Sequence, residues 1–233
     1  MPVFAGCMAT GLSEMLYYSR AYAEAGADVA VITAPGYYTY DVGEIEAIFL
    51  RFADQSPLPV LIYDIPACAG MKLDEDMVLR LADHENIIGL KDSTSDMERF
   101  RTLLGALGDR EDLYLLQGKE HLLAESLIAG CSGFVVSLSH INPRVFSALA
   151  QAALSGDIQL AEQIQSHITE LMNLVQASFA RRPPSSTLFH FIDYALRQRG
   201  VCDNIMLPHE GDCPEWLLEN IKQGFAILHQ ALP

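Results

Sequence analysis

Positive charge is scarce in this sequence: 15 lysines and arginines stand against 30 aspartates and glutamates, a formal net charge of −15. That balance excludes nucleic acid as a partner, because its phosphates must be met by a Lys/Arg patch and none can be found. A small anionic substrate stays open, since it needs only one lysine, a helix N-terminus or a few backbone N–H groups. Cys7, Cys68, Cys131, Cys202 and Cys213 are odd in number, widely spread and without a CxxC pair. This excludes a disulfide framework and fits reduced thiols in the cytoplasm. The seven histidines form no HExxH motif and no i,i+4 pair among themselves, so no metal is expected. No apolar run approaches the length that spans a bilayer, and the first residues lack a basic region followed by an apolar core. No membrane partner is expected, and a cytoplasmic location is. A glycine-rich phosphate loop is also absent, which counts against a pyridoxal phosphate enzyme.

What is present is a chain of 233 residues, 50% hydrophobic, long enough to bury one large core of the α/β barrel size class. Short apolar runs rich in β-branched residues alternate with amphipathic stretches, the rhythm of βα units around a parallel sheet. Strands are expected at Val3–Gly6, Asp28–Ala34, Pro59–Tyr63, Ile87–Lys91, Leu113–Gln117 and Gly133–Ser137. Each precedes a helical pattern: Leu12–Ala25, Val42–Gln55, Asp74–Ala82, Ser95–Leu107, Leu122–Ala129 and Pro143–Ala153. The "AGAD" at Ala25–Asp28 and the "AGCS" at Ala129–Ser132 each set a glycine between helix end and strand start, where a left-handed residue is required. From Ser155 onward only helical patterns remain, at Ile158–Ser178, Ser185–Arg199 and Pro214–Leu232. The expected organisation is a barrel portion over residues 1–154 and a helical extension over 155–233 packed upon it, with "RRPPSS" at Arg181–Ser186 as a tight interhelical turn.

Functional groups of a βα barrel stand at the C-terminal ends of its strands. Two ends are unusual: "VLIYDIP" closes its apolar run on Tyr63, and "IIGLKDST" closes its run on Lys91. A lysine at the mouth of a buried strand is disposed to lose its proton by desolvation and to attack a ketone, and a nearby phenol can pass protons to the carbinolamine. Taken alone, a strand-end lysine is more often a snorkelling or salt-bridged residue, and tyrosine is common in strands.

"YDIPACAG", followed 28 residues after its tyrosine by the lysine of "GLKDST", resembles the dihydrodipicolinate synthase and N-acetylneuraminate lyase family of pyruvate-dependent class I aldolases. "FAGCMA", "ITAPGYY" at Ile32–Tyr38, "LQGKEHLL" around Gly118 and "AGCSGFVVSLSHINP" at Ala129–Pro143 follow in the family's order and spacing, so the resemblance covers essentially the whole chain. It implies a (β/α)8 TIM barrel in which Lys91 forms an imine with the ketoacid and Tyr63 shuttles protons, with no metal or organic cofactor. Tyr37 or Tyr38 matches a tyrosine that enters the site across a subunit contact; an interface aromatic pair is the other reading. Ser93, Gly118 and Ser137 match pocket positions, although either serine could instead cap a helix. Glu120 and His121 fall where substrate recognition varies, or else form a solvated helix start. A homo-oligomer, tetramer or dimer, is implied.

Two departures are visible. Cys68 stands where dihydrodipicolinate synthases carry a carboxylate-clamping arginine, a role a thiol cannot take. This argues against the synthase reaction, and "PACAG" looks more like the sialic-acid lyase and sugar-acid aldolase branches. Because "GKEH" at Gly118–His121 is unlike a sialic-acid lyase, cleavage of a 2-keto-3-deoxy sugar acid to pyruvate and an aldehyde is the expected reaction, with a dihydrodipicolinate synthase-like or N-acetylneuraminate lyase-like reaction as the alternative. The chain also opens on what corresponds to the third barrel strand, so a barrel lacking its first two βα units is expected, with the glycine- and threonine-rich carboxylate turn missing. Such a six-stranded remnant would be either an incomplete sequence or an inactive barrel fragment that survives by association.

Overall fold

A computed structural model describes residues 1–202 and 213–232. The chain divides into two compact units: Met1–Lys119 with Ala129–Val135, and Glu120–Ile128 with the chain from Val136 onward.

The first unit is built on a parallel sheet of six strands in chain order: β1 (Phe4–Gly6), β2 (Val29–Ile32), β3 (Val60–Asp64), β4 (Ile87–Asp92), β5 (Tyr114–Gln117) and β6 (Gly133–Phe134). Its helices are α1 (Leu12–Glu24), α2 (Val42–Gln55), α3 (Pro66–Ala69), α4 (Glu75–Ala82) and α5 (Met97–Leu107). Parallel neighbours need such crossovers, and strands covered by helices read as nearly continuous apolar runs, as "VAVI" of β2 does. The helix starts are set by local side chains. Asp41 and Glu44 form a reciprocal capping box on α2, Asp74 accepts from the Met77 amide of α4, and Asp96 accepts from the Arg99 amide of α5. Phe49 and Phe52 of α2, Met77 and Leu81 of α4 and Phe100 of α5 are fully buried core members of this unit, as is Leu61 of β3.

The βα alternation expected from the sequence is observed, and Gly26 and Gly130 take φ values of 90 and 99 at the two predicted helix-to-strand turns. Two elements differ. The short α3 was not expected. The strand expected over Gly133–Ser137 pairs only over Gly133–Phe134, and Ser137 opens a 3-10 turn, Ser137–His140. Beyond the Val135 amide, which still bonds the Gln117 carbonyl, the Ser137 and Leu138 amides both donate to Oε1 of Glu120, so no ladder continues.

The second unit is helical: a 3-10 turn at Glu120–Leu122, then α6 (Leu123–Ile128), α7 (Pro143–Leu154), α8 (Ile158–Ser178), α9 (Pro184–Gln198) and α10 (Glu215–Gln230). Asp157 caps α8 by accepting from the Leu160 amide. Pro183 and Pro184 make the turn into α9, where proline fits the first helical position. Ile168 and Leu171 of α8 share this core with Phe146, Phe191 and Ile221. Gly224 of α10 lies so close to α8 that a Cβ there would meet Leu171 Cδ1 at 2.7 Å. Among the described residues no helix is long and apolar enough to cross a membrane.

Candidate active site

The site begins with an irregularity in register. Val60 of β3 pairs with Ile87 of β4, but Leu61 pairs with Gly89, so Ile88 is an extra residue on β4. The bulge depends on glycine. Gly89 has φ 152, and a Cβ on it would stand 2.0 Å from the Tyr114 carbonyl oxygen. Downstream, the extra residue reverses which side chains are neighbours. Without it Tyr63 would pair with Leu90; with it Tyr63 pairs with Lys91, and Asp64 with Asp92.

Tyr63 and Lys91 are therefore side by side on one face at adjacent strand ends, both half-buried. Lys91 Nζ lies 3.8 Å from the centre of the Tyr63 ring, inside the range of a cation–π contact. The buried Ser93 places its hydroxyl 3.5 Å from the phenol oxygen as donor, and α5 is capped by Asp96 rather than by this serine. Gly118, just past β5, donates its amide to the Asp92 carbonyl at 2.7 Å. A Cβ on Gly118 would stand 2.0 Å from Ser93 Oγ, 2.8 Å from the Asp92 carbonyl and 3.1 Å from Lys91 Cε. The absent side chain is what gives the amine and the hydroxyl their space.

The opposite face of the same strand ends holds three groups that sequence reasoning missed. Asp64 and Asp92 are each 2% exposed, and Arg99 of α5 is 3% exposed. Arg99 Nη2 donates to Asp64 Oδ2 at 2.9 Å and to the Leu73 carbonyl at 2.9 Å, and Nη1 donates to Asp92 Oδ2. Asp92 Oδ1 also accepts from the Thr94 amide and hydroxyl at 2.8 and 2.7 Å. Burial pushes the Asp64 carboxyl up to about 6 against the opposing pull of Arg99, with the neighbouring Asp92 charge adding to the rise. The readable signal was an aspartate directly after each singled-out residue, since strand alternation must turn both to the far face.

The other expected residues lie elsewhere. Tyr37 and Tyr38 follow β2 in an exposed turn, at 75% and 65% exposure, their rings edge to face with centroids 4.8 Å apart. Cys68 is exposed on α3. In the second unit His121 is exposed, whereas Glu120 is buried and its Oε1 accepts the Ser137 and Leu138 amides at 3.1 and 3.2 Å. That corrects the reading of Glu120 as a solvated helix start: its carboxylate satisfies the first amides of the 3-10 turn that Ser137 opens.

Known proteins resemble this chain in sequence and in fold. A 4-hydroxy-tetrahydrodipicolinate synthase of Thioalkalivibrio sulfidiphilus is 33% identical over 171 residues, covering 72% of this chain and 56% of its own length. The corresponding synthase of Pseudoalteromonas atlantica is 30% identical over 223 residues, covering 86% of this chain and 75% of its own. The chain thus spans little more than half of the first of these relatives. Among solved structures, dihydrodipicolinate synthase from Acinetobacter baumannii complexed with pyruvate superposes with a TM-score of 0.84 at 26% identity, over 98% of this chain and 75% of that one. A sialic acid aldolase of Ruminococcus gnavus, at 15% identity and a TM-score of 0.85 over 99% of this chain and 74% of its own, shares the fold. The parallel sheet and its helices match the TIM-barrel-like α/β fold of these proteins. With residues 1–208 matched by the profile of the Dihydrodipicolinate synthetase family, the chain belongs to that family.

Proposed function

We propose that this protein is a pyruvate-dependent class I aldolase or synthase in which Lys91 is the imine-forming residue and Tyr63 its proton shuttle. The observation that carries the reading is the placement of the Lys91 amine against the Tyr63 ring at paired strand ends, with the Ser93 hydroxyl in reach of the phenol. The neutral amine attacks the keto carbon of the substrate, and the phenol relays protons to and from the carbinolamine oxygen, which leaves as water. The protonated imine then takes up the electron pair released when the carbon–carbon bond breaks and becomes an enamine; in the reverse direction the enamine donates that pair as the bond forms and the protonated imine returns. Gly118 keeps space for the intermediate beside Lys91 and Ser93. The chemistry asks for no metal or organic cofactor. Tyr37, or its neighbour Tyr38, meets the partner subunit of a homo-oligomer, as the exposed pair supports. Ser137, Glu120 and His121 are held as substrate-side residues, Glu120 by ordering the turn that carries Ser137.

Within that chemistry the substrate is a 2-keto-3-deoxy sugar acid, cleaved to pyruvate and an aldehyde. Cys68 supports this choice, because the synthase reaction needs a bidentate carboxylate clamp at that position. A second reading, the synthase reaction itself, is favoured by the names of the relatives compared above.

Borohydride reduction in the presence of pyruvate, followed by peptide mass spectrometry, tests the common core of both readings. A pyruvate-sized adduct on Lys91 is expected. A folded chain that forms none would sink the imine assignment and leave an inert barrel fragment. Pyruvate release from sugar acids, set against consumption of pyruvate with the synthase's second substrate, then separates the two.

A further inference from the structure

Asp64 follows Tyr63 and Asp92 follows Lys91, and the register that pairs the two candidate catalytic residues pairs the two carboxylates as well. The carboxylates lie on the dry side of the sheet, and a single guanidinium reaches both. Each of its terminal nitrogens is directed to a different strand, Nη1 to Asp92 on β4 and Nη2 to Asp64 on β3. Nη2 is further tied to the Leu73 carbonyl, whose own amide approaches Asp64 Oδ1 at 3.4 Å. Arg99 Nε is buried without a partner. The fork of Arg99 spans the two strand ends, one terminal nitrogen to each carboxylate.

The β3–β4 register needs such a hold. The bulge at Ile88 leaves an alternative pairing one residue away, in which Leu90 would replace Lys91 beside Tyr63. Lys91 and Asp92 move together on the strand, so any hold on Asp92 relative to Asp64 is a hold on Lys91 relative to Tyr63.

We propose that Arg99 is a positioning residue: by bridging Asp64 and Asp92 from behind the sheet, it keeps the Lys91 amine seated against the Tyr63 ring. It touches neither substrate nor the reacting atoms. The inference rests on the reading of Lys91 as the imine-forming residue for its functional meaning, while its geometric content is independent of that reading.

The test reads the seating directly and without substrate. Reductive methylation of the full chain with 13C-formaldehyde gives each lysine a dimethylamine resonance. That of Lys91, above an aromatic face, is expected upfield of the exposed Lys222, and its identity is fixed by its loss in Lys91→Arg. In Arg99→Lys, which keeps the charge but cannot fork and adds one lysine signal of its own, the Lys91 signal, identified by its loss in the Arg99→Lys, Lys91→Arg double variant, is expected to move to the Lys222 position while near-ultraviolet circular dichroism stays native. Unmethylated Arg99→Lys is expected to trap pyruvate at least tenfold more slowly, with the half-saturating pyruvate concentration changed less than threefold. If Arg99→Lys does not fold, Asp92→Asn loosens the β4 half of the clamp and is read the same way. A Lys91 resonance unmoved in a folded variant overturns the proposal. A resonance that moves, in a protein whose wild type forms no adduct, leaves the clamp standing and removes the imine reading instead.

Discussion

The two faces of the β3 and β4 strand ends are made of alternate residues of the same few positions, yet they are opposite in character. Toward one side stand Tyr63 and Lys91, half-buried, with Ser93 at the long distance of 3.5 Å from the phenol. Toward the other stand Asp64 and Asp92, buried and committed to Arg99, Thr94 and Leu73 by bonds mostly of 2.7–2.9 Å. The second set is committed through short, charge-assisted bonds, whereas the first is joined by a cation–π contact and one long hydrogen bond. The pleat separates the two sets by one residue.

Substitutions can break this contrast, and the largest effect is expected at Lys91. Lys91→Arg should abolish the trapped pyruvate adduct altogether, while the denaturation midpoint moves little because the side chain is only half-buried. On the committed face the effect reverses. Arg99→Met leaves two buried carboxylates without their cation, and a loss of about 3–5 kcal/mol in stability is expected by urea titration.

Asp64→Asn sharpens the comparison further, since two carboxylates share one guanidinium. Its carboxyl is raised from 3.8 to about 6 in the folded chain, so the folded state binds that proton more tightly than the unfolded one. The group's contribution to stability is accordingly greatest below about pH 4 and falls as pH rises toward 6, by about 3 kcal/mol in all. Asparagine keeps an oxygen for Nη2 and leaves Asp92 to pair with Arg99 one to one. The variant should therefore exceed wild type at pH 8, by about 1–3 kcal/mol, and lose that advantage as pH falls through 6 to 4. A variant less stable than wild type at pH 8 would show that the second charge is needed.

Gly118→Ala forces a Cβ against Ser93 Oγ and the Asp92 carbonyl, with an expected cost of about 1–3 kcal/mol and slower trapping, measured on the same samples. The smallest effect is expected for Ser93→Ala. Losing one long hydrogen bond should cost about 1 kcal/mol or less, seen as a few-fold slower trapping rate with an unchanged melting midpoint.

Much of this architecture was legible from local pattern. Apolar runs alternating with amphipathic stretches located all six strands of the sheet, and the glycines of "AGAD" and "AGCS" marked turns that do require positive φ. Tyr63 and Lys91 stood out because each closes an apolar run with a functional group. The fate of Glu120 was not legible, because its partners are amides 17 and 18 residues away. Nor was the shortness of β6, which ends where those amides find Glu120 instead of a ladder.

The sequence by itself determined the order of strands and helices and which residues stand at strand ends, since both follow from periodicity, capping and turn chemistry within a few residues. The tertiary structure alone decided that Tyr63 neighbours Lys91 and that Arg99 joins Asp64 to Asp92. A period-two pattern reads the same with or without an extra residue at Ile88, and only the close approach of Gly89 to Tyr114 reveals the bulge. Likewise a charge at position 99 looks like any helical arginine until its strand partners, 7 and 35 residues away, are brought beneath it.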